Sequence, residues 1–185
     1  EGHERLDSRF SLSENISGGI APGFGGSGFL RPDSVSLFRE GTLVGSLISP
    51  RSAKEFGLLT NGAAGSEAPD SLDLAPGHHE SAGLLADLGT GIWINNLWYL
   101  NYSDRSSCRI TGMTRFAAFW VEDGEIVAPI DVMRFDDTLY RMMGDGLVGL
   151  SAERELIMDP GTYGGRSTSS ARLPGALVED FVLTL

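Results

Sequence analysis

Two stretches of this chain carry the same pattern, and that repetition constrains the fold more than any other feature. Residues 35–47 (VSLFREGTLVGSL) and 117–129 (AAFWVEDGEIVAP) each run apolar segment, acidic-glycine pair, apolar segment, and each leads toward a short helical segment. An acidic residue followed by glycine between two β-prone runs predicts a hairpin. Glycine takes the positive φ of a tight turn at no steric cost, and the flanking residues then pair as a ladder. The chain is expected to be built on two hairpin-plus-helix units. With 185 residues it is long enough to bury a core without disulfides or metals, and one domain over 1–185 is the expectation. The 25 glycines favour many turns and short strands over a helical bundle. The predicted class is α+β and β-rich, with mixed or antiparallel sheets and short flanking helices.

The rest of the chain supplies punctuation. Residues 17–29 are dense in glycine, but 23–28 (GFGGSG) fit neither the dinucleotide nor the Walker spacing and run into Arg31-Pro32, so an ordered irregular connection is favoured over a phosphate loop. Ser49 as N-cap, Pro50 in the first turn and Gly57 as stop predict a short helix. Residues 60–77 read as a surface loop, and residues 79–88 as a helix with Leu84, Leu85 and Leu88 on one face and Gly89 beyond its end. Residues 92–100 form the most aromatic stretch. The alternation there breaks at Asn95-Asn96, which predicts a bulged strand or two strand segments. Residues 108–113 are expected to supply a turn, 136–144 a capped helix, and 173–185 a final strand inserted in a sheet.

Charge and cysteine use narrow the function. A net charge of −11 repels phosphate backbones and anionic headgroups, so neither nucleic acid nor membrane is an expected partner. Cys108 is alone, which excludes an internal disulfide, and no apolar run reaches the roughly 18 residues of a spanning helix. A cytoplasmic location is expected. The first residues carry neither a basic nor an apolar leader and no initiator methionine, and the chain reads as a piece of a longer protein.

Catalytic constellations are hard to assemble. His78 and His79 are adjacent, and on a helix adjacent side chains diverge by about 100°, too far to share one ion. His3-Glu4 opens like a zincin helix, but Asp7 and Ser8 stand where the second histidine is needed. Arg105 and Arg109 flank Cys108 and could lower its pKa, yet no histidine is near it in sequence and an incidental thiol is favoured. Asp136-Asp137 and Glu179-Asp180 fall at expected element boundaries, where capping accounts for them. No catalytic residue and no metal ligand is assigned. Trp98, Tyr99 and Tyr102, with Asn95, are the candidate substrate contacts: they could line a peptide groove, or they could be packing residues.

Residues 111–130 (TGMTRFAAFWVEDGEIVAPI) resemble the segment of the TldD/PmbA (TldE) family, once called modulators of DNA gyrase, that reads TG, then GFW, an acidic-glycine turn, EIV and PV. Phe29 to Leu58 is similar to the family's first hairpin and its SAxxLGL stretch, Thr60-Asn61-Gly62 to its continuation, and Gly89-Thr-Gly-Ile92 to the GTG that precedes its central strand. The resemblance covers residues 17 to the end and implies the C-terminal domain of such a protein. It further implies two related subunits, a zinc metallopeptidase and a partner lacking the metal site, that process unfolded or extended peptides. The zinc ligands of that family come from an HExxxH helix upstream and a cysteine near the C-terminus. Here that region reads GTYGGR at 161–166, with Tyr163 in it, and Cys108 lies too far upstream. The resemblance therefore implies the non-metal partner type. Zinc is expected only in the full-length protein or its partner, proteolysis in the assembly rather than in this chain alone, and a homologous subunit as homo- or heterodimer. Two readings from other classes stand beside it: a non-enzymatic, self-associating structural domain, and gyrase modulation through DNA, which the charge disfavours.

Overall fold

Both acidic-glycine pairs turn hairpins, and the structure, a computed structural model describing residues 6–184, shows why. Strand β1 (Leu12–Asn15) pairs antiparallel with β2 (Ser34–Arg39), which turns back through Glu40-Gly41 into β3 (Thr42–Leu43). Glu40 and Gly41 have φ of 48° and 74°, the primed-turn conformation whose twist suits a two-residue hairpin. Further along, β8 (Ala118–Glu122) returns as β9 (Glu125–Pro129) through Asp123 and Gly124 at 50° and 79°.

The chain forms two compact units. Of the described residues, one comprises 8–76 and 154–174, the other 6–7, 77–153 and 175–184. In the first, helix α1 (Pro50–Phe56) follows the hairpin. The Ser49 hydroxyl accepts from the Ser52 N–H, Pro50 occupies the first turn and Gly57 closes it at φ 66°. A cap of this kind contributes about 1 kcal/mol. Leu37, Leu47 and Ala63 form a small core, covered by Val35 and Phe38, and Phe10 meets Phe38 edge-on at 5.8 Å.

The expected loop over 60–77 is corrected here, because Ser71–Leu74 is a strand, β4, buried at three of its four positions. It pairs antiparallel with β1 and parallel with β12 (Ser170–Val178), which in turn neighbours β11 (Leu147–Met158), giving the order β11-β12-β4-β1-β2-β3. Buried charge accompanies it. The Glu14 carboxylate accepts from Arg31 at 2.7 Å and from the N–H groups of Asp70 and Ser71, while Arg31 also donates to Asp70. Asp73 takes Arg154 and Asn15, with Arg172 3.9 Å away.

In the second unit, a 3-10 turn (Ser81–Gly83) and helix α2 (Leu84–Leu88) replace the longer helix expected from residue 79. His79 instead lies along β11. Its N–H donates to Leu150, its C=O accepts from Ala152, and its Nδ1 sits 2.8 Å from Asp87. Gly77 is required beside it, since a Cβ there would come 2.1 Å from the Leu150 carbonyl. The aromatic stretch divides into β5 (Gly91–Ile94) and β6 (Leu97–Asp104), on either side of Asn95-Asn96.

Three further expectations are corrected in this unit. Residues 109–114 are not a turn but strand β7 (Arg109–Thr114), paired with β6 and with β10 (Arg134–Thr138). Residues 136–138 belong to β10, so helix α3 is only Leu139–Met142, capped by Thr138. The acids taken for cap signals serve as ion-pair partners, Asp136 of Arg109 at 2.9 Å and Asp137 of Arg141 at 2.5 Å. The final strand is two: β12, then a turn at 179–180, then β13 (Leu183–Thr184) against β10. The sheets are open, ordered β13-β10-β7-β6 and β5-β8-β9. Val121, Phe135, Leu147 and Leu150 are fully buried, and Phe135 meets Phe181 at 5.1 Å. His3 lies outside the described residues, and no described helix is long and apolar enough to cross a membrane.

Candidate functional site

The candidate contacts Asn95, Trp98, Tyr99 and Tyr102 fall together at one margin of the second unit. Among the described residues, strand β6 is the last of its sheet, with β7 on one side and no strand on the other. An unpaired edge presents free N–H and C=O groups to which an extended chain can add. Asn95 is exposed just before β6 and its N–H is tied to the Ala117 carbonyl at 3.0 Å. Trp98 is 43% exposed, Tyr99 70% and Tyr102 52%, so of the two roles the sequence left open, surface rather than core is their place.

The shape of this edge comes from the strand itself. The register shifts between Trp98 and Asn101, so Tyr99 and Leu100 together oppose Gly112, a bulge that puts Tyr99 at φ 53°. A Cβ on Gly112 would sit 2.9 Å from the Leu100 side chain and 3.0 Å from the Trp98 carbonyl, so the glycine lets the bulged strand close on β7. Beyond the bulge the β6–β7 turn is held by Asp104, whose carboxylate accepts from the Ser106 and Ser107 hydroxyls and the Ser106 N–H. Those bonds, the Ser106 hydroxyl foremost, hold the Asp104 carboxyl below its ordinary pKa.

Three contributors escape a reading of the sequence alone. Phe116, 73% exposed and at φ 67°, packs edge-on to Trp98 at 6.0 Å, and Trp98 meets Tyr99 edge-on at 6.2 Å. The Arg115 guanidinium lies over both the Trp98 and Phe116 rings, 5.6 and 5.3 Å from their centroids. Arg105 lies over the Tyr102 ring at 5.4 Å. All are within cation–π range. For Arg115 and Phe116 the one sequence signal is an Arg-Phe pair set between two strands, which means nothing until β6 and β7 are known to be neighbours.

Other candidates stay apart from this margin. The Cys108 thiol is half-buried and donates to Tyr140 Oη at 3.8 Å; of its flanking arginines, Arg109 is held by Asp136 and Arg105 by Tyr102. A separate cleft of about 460 Å³ in the same unit is lined by Trp120, Leu88 and Leu177 together with the acids Asp87, Glu179 and Asp180. For the zinc that the resemblance attaches to the full-length assembly, the described residues supply no fitting donor set. Among the described residues no three His, Cys, Asp or Glu side chains converge on one point, and Tyr163 is fully exposed.

Comparison with known proteins agrees with this architecture. A family model described as the PmbA/TldA metallopeptidase C-terminal domain matches residues 24–184. Similar solved structures include a Thermotoga maritima protein described as a candidate modulator of a DNA gyrase (TM-score 0.75, 18% identity, 98% of this chain and 40% of that one). TldE from Thermococcus kodakarensis gives a TM-score of 0.78 at 15% identity over all of this chain and 41% of its own. A candidate modulator of DNA gyrase from Bacteroides thetaiotaomicron gives 0.69 at 20% identity over 95% and 36%. This chain thus spans about two fifths of the length of these relatives. No curated protein matches it in sequence.

Proposed function

We propose, from the premise that this chain belongs to the PmbA/TldA metallopeptidase C-terminal domain family, that it is the non-metal partner component of a peptide-processing zinc metallopeptidase assembly. In this reading its task is to receive an extended, unfolded segment. The observation that carries it is β6: an edge strand with no described strand on its outer side, on which Trp98, Tyr99 and Tyr102 stand exposed rather than packed away.

The chemistry available there is binding and orientation. Backbone pairing fixes a peptide in an extended conformation whatever its sequence, and exposed rings add apolar contact for alternate side chains. Zinc would polarise the scissile carbonyl and activate water on a subunit that has the ligands. The residues of this chain hold the peptide straight and limit how it can lie.

The test uses the full-length protein, alone and mixed with a paralogue that carries HExxxH. Expected are hydrolysis of an unfolded peptide in the mixture beyond that of the paralogue alone, and loss of most of that stimulation in Trp98→Ala with Tyr102→Ala. No stimulation by the unmodified protein would overturn the proposal. A second reading, self-association through apolar strands, is favoured by β9, an edge strand exposed along its length with Ile126 and Val127 on it. Sedimentation of Ile126→Lys against the unmodified protein decides that one.

A further inference from the structure

Within a chain of 25 acidic and 14 basic residues, a free arginine is surrounded by potential partners. Arg31, Arg109, Arg141, Arg154 and Arg172 have each found one. Arg105 and Arg115, like Arg39, Arg134 and Arg166, make no ion pair among the described residues, but these two alone of the five lie over an aromatic ring, on or beside the β6 edge. A cation–π contact of this kind does not use up the N–H donors of a guanidinium, which can still take a carboxylate in a fork.

The arrangement is also held against local preference. Phe116 and Tyr99, two bulky side chains, have φ of 67° and 53°, in the left-handed region that such residues rarely adopt. Backbone strain of this kind concentrates at ligand clamps and switches, where surrounding structure enforces it. Here Phe116 is one wall against which Arg115 lies, and Tyr99 is the tip of the bulge beside Trp98.

We propose that the β6 edge selects extended peptides bearing acidic side chains, with Arg115, braced by Trp98 and Phe116, and Arg105, braced by Tyr102, taking Asp or Glu carboxylates of the incoming strand. This rests on β6 being the peptide-receiving edge and names the class of peptide it receives. Charge complementarity argues for it: a protein of net charge −11 repels acidic peptides in general, so two unpaired cations at one edge create a local exception. The competing role for the same arginines is protective, since charged residues and bulges on an edge strand deter strand-to-strand aggregation.

The experiment measures fluorescence anisotropy of short, N-acetylated, C-amidated peptides with a Thr/Val-rich frame and Glu, Gln or Lys at two positions three residues apart, the spacing of Met113 and Ile110 that pair with Trp98 and Tyr102 on the other side of β6. Amidation removes the terminal carboxylate, so any acid preference must come from side chains. The Glu peptide is expected to bind about fivefold tighter than the Gln peptide at low salt, the worth of two exposed charge pairs, with the advantage fading as salt screens it. Arg105→Gln with Arg115→Gln is expected to bring the Glu peptide down to the affinity of the Gln peptide, and Arg115→Lys, which keeps the charge but not the fork, to fall between. Equal binding of Glu and Gln peptides, a preference for Lys, or an acid preference that survives the double substitution would overturn the selection while leaving the edge a peptide site. Binding of none of the three would overturn both.

Discussion

Removing the carboxylate of Glu14 is the sharpest perturbation the structure offers. Its side chain is about 2% exposed, and Arg31, 6% exposed, has the Asp70 carboxylate as its other partner. Glu14→Leu therefore strands a buried guanidinium on a single, partly exposed acid and orphans the Asp70 and Ser71 N–H groups. Breaking a buried pair costs about 3–5 kcal/mol, and the low end applies because Arg31 keeps Asp70. An orphaned buried donor adds about 1–3 kcal/mol. The expected loss is about 4 kcal/mol, a large share of the ~5–15 kcal/mol that holds a domain together. In urea unfolding followed by tryptophan fluorescence and circular dichroism, it appears as a midpoint lowered by about 2 M at a slope near 2 kcal/mol/M. Arg31→Leu, made alone, should also destabilise. The double variant should cost about 2 kcal/mol less than the two singles together, because it leaves no buried charge unpaired, only the partly exposed Asp70 carboxylate. A loss below about 1 kcal/mol for Glu14→Leu, or strict additivity in the cycle, would refute the assignment of this network as buried and coupled.

Gly124→Ala tests the second hairpin. The positive φ of 79° and a Cβ only 3.0 Å from the Ala86 Cα combine to a loss of about 2 kcal/mol, and an unchanged thermal midpoint would contradict the close approach. Asp104 tests the β6–β7 turn through pH. Its folded pKa is lowered by Ser106 and Ser107, so its contribution to stability is fully present above the ordinary carboxyl pKa of about 3.9 and is lost as pH falls through the lower folded value. Carbon-detected NMR of the Asp104 carboxyl should give a midpoint below that of a model peptide, and a midpoint at or above it would remove the serine hydrogen bonds from the account.

What a single sequence reveals here follows from the range over which each element is determined. Glu40-Gly41, Asp123-Gly124 and the Ser49–Gly57 helix are specified within a few residues, by turn φ and by caps, and they stand where their residues predict. Strand β4 is not. Four residues of a Ser-Leu-Asp-Leu stretch, set among loop-like neighbours, become a central strand because β1 and β12 pair with them from far away. Asp136 and Asp137 misled for a related reason, since acids before a helix look alike whether they cap it or face arginines from a strand. At the candidate site, the aromatic density of residues 92–102 was legible, but whether those rings faced core or solvent depended on β6 being the edge of its sheet. Arg115 and Phe116 needed more still, because their partner Trp98 is brought to them by the pairing of β6 with β7.

The discontinuous make-up of the two units bears on synthesis. As the chain leaves the ribosome, β1, β2 and β4 emerge early, yet the strand that pairs in parallel with β4 arrives about a hundred residues later. Until then one side of β4 exposes its backbone groups, in a nascent chain long enough to meet other nascent chains. The unit of residues 8–76 and 154–174 cannot close until the whole of the intervening segment has been made. A library of C-terminal truncations should therefore show a threshold rather than a gradient: solubility should fail for every chain ending before residue 178 and return once β12 is complete there.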